Sequence, residues 1–365
     1  MKLRALRATH GRRGLTLVEL LLSAGLLALL VAAVFVLVRQ FMTVWDKSEV
    51  RRMQVEEASG VAELCAADLA ALEPGPRGDF LAEWAFFDHD GDGVAETKWP
   101  RVRLVRHASV AELARLQAGE NRADRIAGEG LIEVIWAVLP LEPGTRDISK
   151  RALGALWRGE RIYGPARGAD VSFFDEKYLS AGGVPRPTSA QEVSGGVLWI
   201  GMQFATQTSI LRESWKLGRS PADTVACWDA WQRGRPNAQR HIWNDPSDFL
   251  PKAGDTPLLP RRVRLEFEFE HPADLKRRTR MSMYLAQQDG AFEVDDPAKL
   301  PEPGGHVLVD SEWMRVESVA GRWVNVRRGE RGTAPTAHEN GSVIHYGRTL
   351  VRDVPIAVHR EDWDL

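Results

Sequence analysis

The spacing of apolar and polar positions divides the chain before any other property is considered. Residues 1–14 read MKLRALRATHGRRG, basic and without a single acid. From Leu15 to Val38 the sequence is an apolar run broken by one charge, Glu19. A helix needs about 20 apolar residues to cross a bilayer, so this run is long enough even with tilt. Residues 39–72 contain no proline and one glycine, Gly60. Val61, Leu64, Cys65, Asp68, Leu69 and Leu72 keep a three-four spacing, and Pro74-Gly75-Pro76 then stops the helical pattern. The spacing predicts one helix from Leu15 to Leu72, about 87 Å long at 1.5 Å per residue.

Beyond Asp79 the pattern changes to that of strands. Leu81–Phe87, Arg101–His107, Leu131–Leu139, Gly196–Thr206 and Arg261–Glu270 are the candidates. Arg264 to Glu270 alternates strictly, which predicts a strand with one face buried and one wet. A short helix is expected over Ser109–Ala118. Residues 181–187 form a Gly/Pro loop, and Pro221–Pro260 reads as irregular. Gly304–Tyr346 gives short strands, HVLVD, WMRVESV, RWVNVRR and SVIHY, between glycine turns. The last residues, VRDVPIAVHREDWDL, are expected to return to the main sheet.

Glu19 is the residue that needs explaining, since a carboxylate inside a membrane helix costs a few kcal/mol on insertion scales. A cleaved secretory signal does not fit, because the apolar run is long and RQFMTVWDK after it offers no small-x-small cleavage site. A plain signal anchor explains the length and the basic flank but not the acid.

Gly14-Leu15-Thr16-Leu17-Val18-Glu19 resembles the prepilin cleavage motif of type IV pilin-like proteins: a glycine, a hydrophobic residue, and glutamate at the fifth position after the cut. The resemblance implies that a prepilin peptidase cuts after Gly14 and N-methylates Leu15. It also implies that Glu19 faces the free amine of a neighbouring subunit. Two buried charges are tolerable only as a pair, so the acid would act as an assembly register. Leu15 stands where phenylalanine is more usual.

The fold expected is α+β: a long N-terminal transmembrane and spine helix packed on an antiparallel β-sheet head, with extra β-rich insertions. The expected divisions are a leader at 1–14, a spine helix at 15–72 (transmembrane at 15–38), a pilin-like head at 79–284, a small all-β insertion at 285–348, and a C-terminal segment at 349–365. AELCAADLAAL, LIEVIWAVLP followed by LWRGERI, and LPRRVRLEFEF resemble the J-type minor pseudopilin of type II secretion, and the W-type minor pilin is a related match. The chain is longer than that family's norm, with extra material around 140–195, 210–255 and 285–348.

Composition changes this picture little. The 365 residues are 44% hydrophobic and 27% charged, enough apolar material for a core, and the net charge is −2. With the basic leader set aside the rest is mildly acidic, which argues against nucleic-acid binding. The two cysteines, Cys65 and Cys227, are too few for a disulfide scaffold or a thiolate zinc site. They could form one bridge, or Cys65 could be a buried thiol on its apolar helix face.

One local motif suggests a ligand. Asp88, Asp90 and Asp92, with Gly93, backbone Val94 and Glu96, match the first part of an EF-hand-like calcium loop, although Trp99 stands where the bidentate glutamate belongs. Structural Ca²⁺ there is one expectation; a solvated acidic turn is the other. His107, His241, His271, His338 and His345 lack metal-ligand spacing and read as surface or capping residues. No nucleophile elbow, HExxH or phosphate loop occurs, so no catalysis is expected. The tryptophans read mainly as core residues. The RGERGT…H…G pattern in the β-insertion suggests no ligand.

The resemblance implies a structural minor pseudopilin or pilin subunit, capping or initiating a periplasmic pseudopilus or a type IV pilus. Its partners would be the prepilin peptidase, other major and minor pseudopilins, the inner-membrane assembly platform and the lipid bilayer. It would be single-pass in the inner membrane, with the N-terminus cytoplasmic, following the basic flank. The alternative is a single-pass anchored extracytoplasmic binding protein that keeps its first 14 residues.

Overall fold

The structure is a computed structural model. It describes residues 16–88, 91, 95, 97–117, 130–141, 152–164, 172–174, 190–205, 211–213, 226–233, 240–241, 254–270 and 278–357. The chain separates into two compact units, residues 1–53 and 54–365. It has the expected α+β layout, but it is richer in strand than the sequence suggests.

Helix α1 runs from Leu17 to Ala70. In the first unit, Leu17–Met42 is the one described helix segment long and apolar enough to cross a membrane, and its side chains are exposed. In the second unit, α1 buries Ala58, Val61, Ala62, Ala66 and Leu69. Three of these are alanines four residues apart, so one narrow face lies close on its neighbours. The helix stops where Pro74 and Pro76 remove donors; Glu73 N–H already donates to Val105 O at 3.1 Å.

The large sheet comprises β1 (Phe80–Phe87), β2 (Thr97–His107), β3 (Leu131–Pro140), β4 (Gly154–Ile162), β5 (Ala190–Ala205), β6 (Leu211–Glu213), β7 (Ala226–Asp229), β8 (Arg240–His241), β9 (Arg262–Phe269) and β15 (Arg348–Pro355). Its order is β15-β9-β5-β4-β3-β2-β1-β7-β8, with β6 on β5. All pairs are antiparallel except β7 with β8. Its core against α1 includes Ile132, Val134, Trp136, Met202, Val263, Leu265 and Phe267. Helix α2 (Val110–Gln117) starts with a capping box: Glu112 N–H donates to Ser109 Oγ, and Ser109 N–H to Glu112 Oε2.

The five-stranded second sheet has the order β10-β13-β12-β11-β14: Ala291–Glu293, Trp323–Glu330, Glu312–Ala320, His306–Val309 and Ile344–His345. It lies in the chain between β9 and β15, which pair with each other from Arg262↔Pro355 to Phe269↔Arg348. Gly347 closes this excursion. A Cβ there would lie 2.3 Å from Phe269 O, so only glycine fits. Met281, Phe292, Val307, Met314, Val324 and Ile344 fill the small core. Trp84, Leu198, Trp199, Leu308 and Trp313 join the two sheets.

Three sequence expectations need correction. The segment 221–260 read as irregular supplies β7, which pairs with β1 at Leu81↔Asp229. Strand β4 was not among the candidates, because Arg158, Glu160 and Arg161 break its alternation. Glu160 and Arg161 are buried and Arg158 is half-buried: Arg158 binds Asp68 and Glu160, and Arg161 binds Glu133. The charged face of β9 is half-exposed at Arg262, Arg264 and Glu266, as the alternation predicts, but not at its far end. Glu268 and Glu270 are buried, and residues of the inserted sheet segment bind them.

Candidate functional site: the acid of the apolar helix and the charges of the head

Glu19 sits in the first turn of α1 and is exposed. Thr16 precedes the helix and forms a capping box with it. Thr16 N–H and Thr16 Oγ1–H donate to Glu19 Oε2 at 3.0 and 3.1 Å, and Glu19 N–H donates to Thr16 Oγ1 at 3.3 Å. All these bonds to the carboxylate fall on one oxygen. An ionised carboxylate offers about four lone-pair sites, so Oε1 keeps its acceptor capacity for another group. Glu19 also lies at the helix end where a negative charge is favoured. Gly14 and Leu15, the expected cleavage and methylation positions, lie outside the described residues.

A second acid sits on α1 and works differently. Asp68 is buried on the helix face turned to the sheet. It accepts hydrogen bonds from Trp136 Nε1 and Arg158 Nε at Oδ2, both at 2.8 Å, and from Arg158 Nη2 at Oδ1. Arg106 Nε adds a contact at 2.8 Å. Arg106 extends the network to Glu112 of α2. Burial pulls the Arg158 guanidinium down, but Asp68 and Glu160 outweigh it and hold it above its usual value. Asp68 therefore locks the helix onto β2, β3 and β4 by charge as well as by apolar contact.

Cys65, one turn before Leu69, is a free thiol. It lines an apolar cavity of about 40 Å³ with Leu69, Phe80, Trp136 and Met202. Burial, then the Asp68 charge, pushes its pKa well above the usual thiol value. The side chain of Cys227 lies outside those described, although its backbone is in β7.

The acidic loop begins at Asp88, which caps a turn. Gly91 N–H donates to Asp88 Oδ1 at 2.6 Å, and Gly91 takes φ +79°. Asp90, Asp92, Val94 and Glu96, the remainder of the expected Ca²⁺ ligands, lie outside the described residues. Among the described residues no group of three His, Cys, Asp or Glu is arranged to hold a metal ion.

The inserted sheet gives the RGERGT…H pattern a structural meaning. Glu312 is fully buried and accepts five donors. Arg328 Nε and Gly329 N–H bind Oε1, at 2.7 and 3.0 Å. Arg328 Nη2, Thr336 N–H and His338 Nε2 bind Oε2, at 2.6, 2.9 and 2.9 Å. Burial raises the Glu312 pKa, but these donors win and hold it at about 2. His338 Nδ1 lies 2.6 Å from Asp310 Oδ2, so both ring nitrogens face carboxylates. Burial pushes the His338 pKa down, and Asp310 and Glu312 more than reverse it. His338 and His345, read from sequence as surface or capping residues, are both buried; His345 Nδ1 lies 3.0 Å from Glu270 Oε2. His107 is exposed and pairs with Glu73 at 2.6 Å.

Arg331 crosses from the small sheet to the large one. Its guanidinium lies between Trp199 and Trp313, 5.0 and 4.1 Å from their ring centres, and reaches Glu268 Oε2 at 2.7 Å. The signal that could have found this role is the pairing of a conspicuous arginine loop with the EFEFE strand. Neither half reveals it alone.

No protein-family model matches this chain, and no curated protein matches it in sequence.

Proposed function

We propose that this chain is a minor pilin-like subunit that assembles non-covalently into a pseudopilus or type IV pilus. The observation that carries the reading is Glu19: an acid in the first turn of an apolar helix, bonded through only one carboxylate oxygen. The open oxygen suits the amine of a neighbour whose leader has been cut after Gly14 and whose Leu15 is methylated. Burial of that ammonium in a filament would be tolerable only against such an acid.

The second half of α1 supports the same reading. Ala58, Val61, Ala62, Ala66 and Leu69 bury a helix on an antiparallel sheet, and Asp68 fastens it. Before assembly the 26 residues Leu17–Met42 would sit in the inner membrane, with the basic N-terminal residues cytoplasmic and the head periplasmic. The inserted β-sheet enlarges the head, which favours a place at the filament tip.

The experiment is Glu19→Ala in a cell that assembles the filament. Normal membrane insertion with loss of incorporation is expected. Unchanged incorporation would remove the proposal. The Thr16–Glu19 capping box favours a second reading, an anchored extracytoplasmic binding protein, because the cap partly satisfies the acid without a neighbour. That reading expects Glu19→Ala to matter no more than any cap residue.

A further inference from the structure

Between the large sheet and the inserted sheet lies a cleft of about 520 Å³. Phe86, Trp99, Trp199, Trp313 and Leu308 make it mostly apolar. Lys98 is the one cationic residue on its described wall. Its Nζ donates to the carbonyl of Gly332, another wall residue, which places the ammonium at the cleft surface. The Trp84 ring lies 5.9 Å from Nζ. No carboxylate among the described residues pairs with Lys98, and burial alone pulls its pKa down to about 8. An ammonium has three donors and the carbonyl takes one. Trp99, beside it in β2, has a buried indole N–H with no acceptor. The acid on the wall, Asp310, is held by His338 and Ser342.

An uncompensated cation at an apolar wall is costly, and every other largely buried cation described in the head has a carboxylate close by. Spare donors beside aromatic rings need an acceptor with an apolar body. The geometry points to a binding site for a carboxylate carrying an aromatic or aliphatic group, with Lys98 as its counter-ion and Trp99, Trp199 and Trp313 around its body. The volume is that of a small-molecule pocket. A free organic acid and the C-terminal carboxylate of a polypeptide share this chemistry. The inference does not depend on the filament reading.

The test is calorimetric titration at pH 7 of the full chain in lipid nanodiscs, with empty nanodiscs as blank. The probes are 1-naphthoic acid and uncharged 1-naphthamide, then N-acetyl-Ala-Phe with a free or amidated C-terminus. Saturable binding of an acid is expected, at least about tenfold tighter than its amide, the scale of one charge-assisted hydrogen bond. Lys98→Met should reduce acid binding to the amide level, and Lys98→Arg should keep it within about threefold, one charge replacing another. Tighter binding of the peptide acid assigns the site to a chain terminus, and tighter naphthoate to a small acid. Absence of saturable binding by either acid overturns the inference, as does equal binding of acid and amide by the wild-type chain. The wild-type comparison stands even if Lys98→Met does not fold.

Discussion

Glu19 lies on an apolar helix and Glu312 is buried in the small sheet, and the chain treats the two acids in opposite ways. Glu312 is enclosed and accepts five donors, every one from its own sheet or the loop after it. Glu19 is exposed and receives bonds from one neighbour, on one oxygen. The first acid is complete within the chain. The second is half-complete, and its surroundings, the exposed and largely apolar segment Leu17–Met42, change when a membrane or another subunit covers them. The lesson is that an acid out of place is understood by counting its donors. A full set marks a structural hub, and a partial set marks a site that something else must finish.

The largest effect should come from breaking the complete acid. Glu312→Ala leaves Arg328 and His338 buried without their partner, and about 3–5 kcal/mol of stability should be lost. Urea unfolding of the detergent-solubilised chain, followed by near-UV circular dichroism, measures it. A loss under about 1 kcal/mol would mean the hub is ornamental. Asp68→Ala should cost less, about 2–3 kcal/mol, since it takes one carboxylate from Arg158 and Arg106 and leaves them Glu160 and Glu112. Because Trp136 Nε1 also loses its acceptor, its fluorescence should shift in the folded protein.

Titration sharpens the comparison. His338 has a folded pKa above its ordinary 6.5, so its contribution is full below 6.5 and fades as pH rises through the folded value. Glu312 has a folded pKa of about 2 against 4.5, so its contribution is full above 4.5 and fades as pH falls toward 2. The hub should therefore be most stable between about 4.5 and 6.5. His338→Asn should abolish the alkaline decline and leave the acid limb; a decline unchanged in that variant would assign it to other groups.

The smallest effect is expected at Asp353, whose bidentate pair with Arg264 lies on the surface. Asp353→Ala should cost no more than about 1 kcal/mol, and less in high salt. A larger loss would show that exposed and enclosed pairs differ less than the account requires.

Some of this was legible in the sequence. The apolar run, the five candidate strands and the short helix after Ser109 needed only local period and caps. Strand β4 did not, because its charges are satisfied by Asp68 and Glu133, which are 90 and 28 residues away. The strict alternation of β9 predicted its apolar face, and its polar face as far as Glu266 but not at Glu268 and Glu270. Arg331 and His345, distant in sequence, and Arg278, eight residues on, cover Glu268 and Glu270. The RGERGT…H pattern was visible, but its centre, Glu312, lies outside it. The cleft beside Lys98 needs two sheets in contact, and no single segment encodes that.

The most direct measurement is the mass of the mature N-terminus when the chain is made beside a prepilin peptidase. The account predicts a chain beginning at N-methylated Leu15, which places Glu19 fifth. A chain that retains Met1 and its basic leader would contradict it.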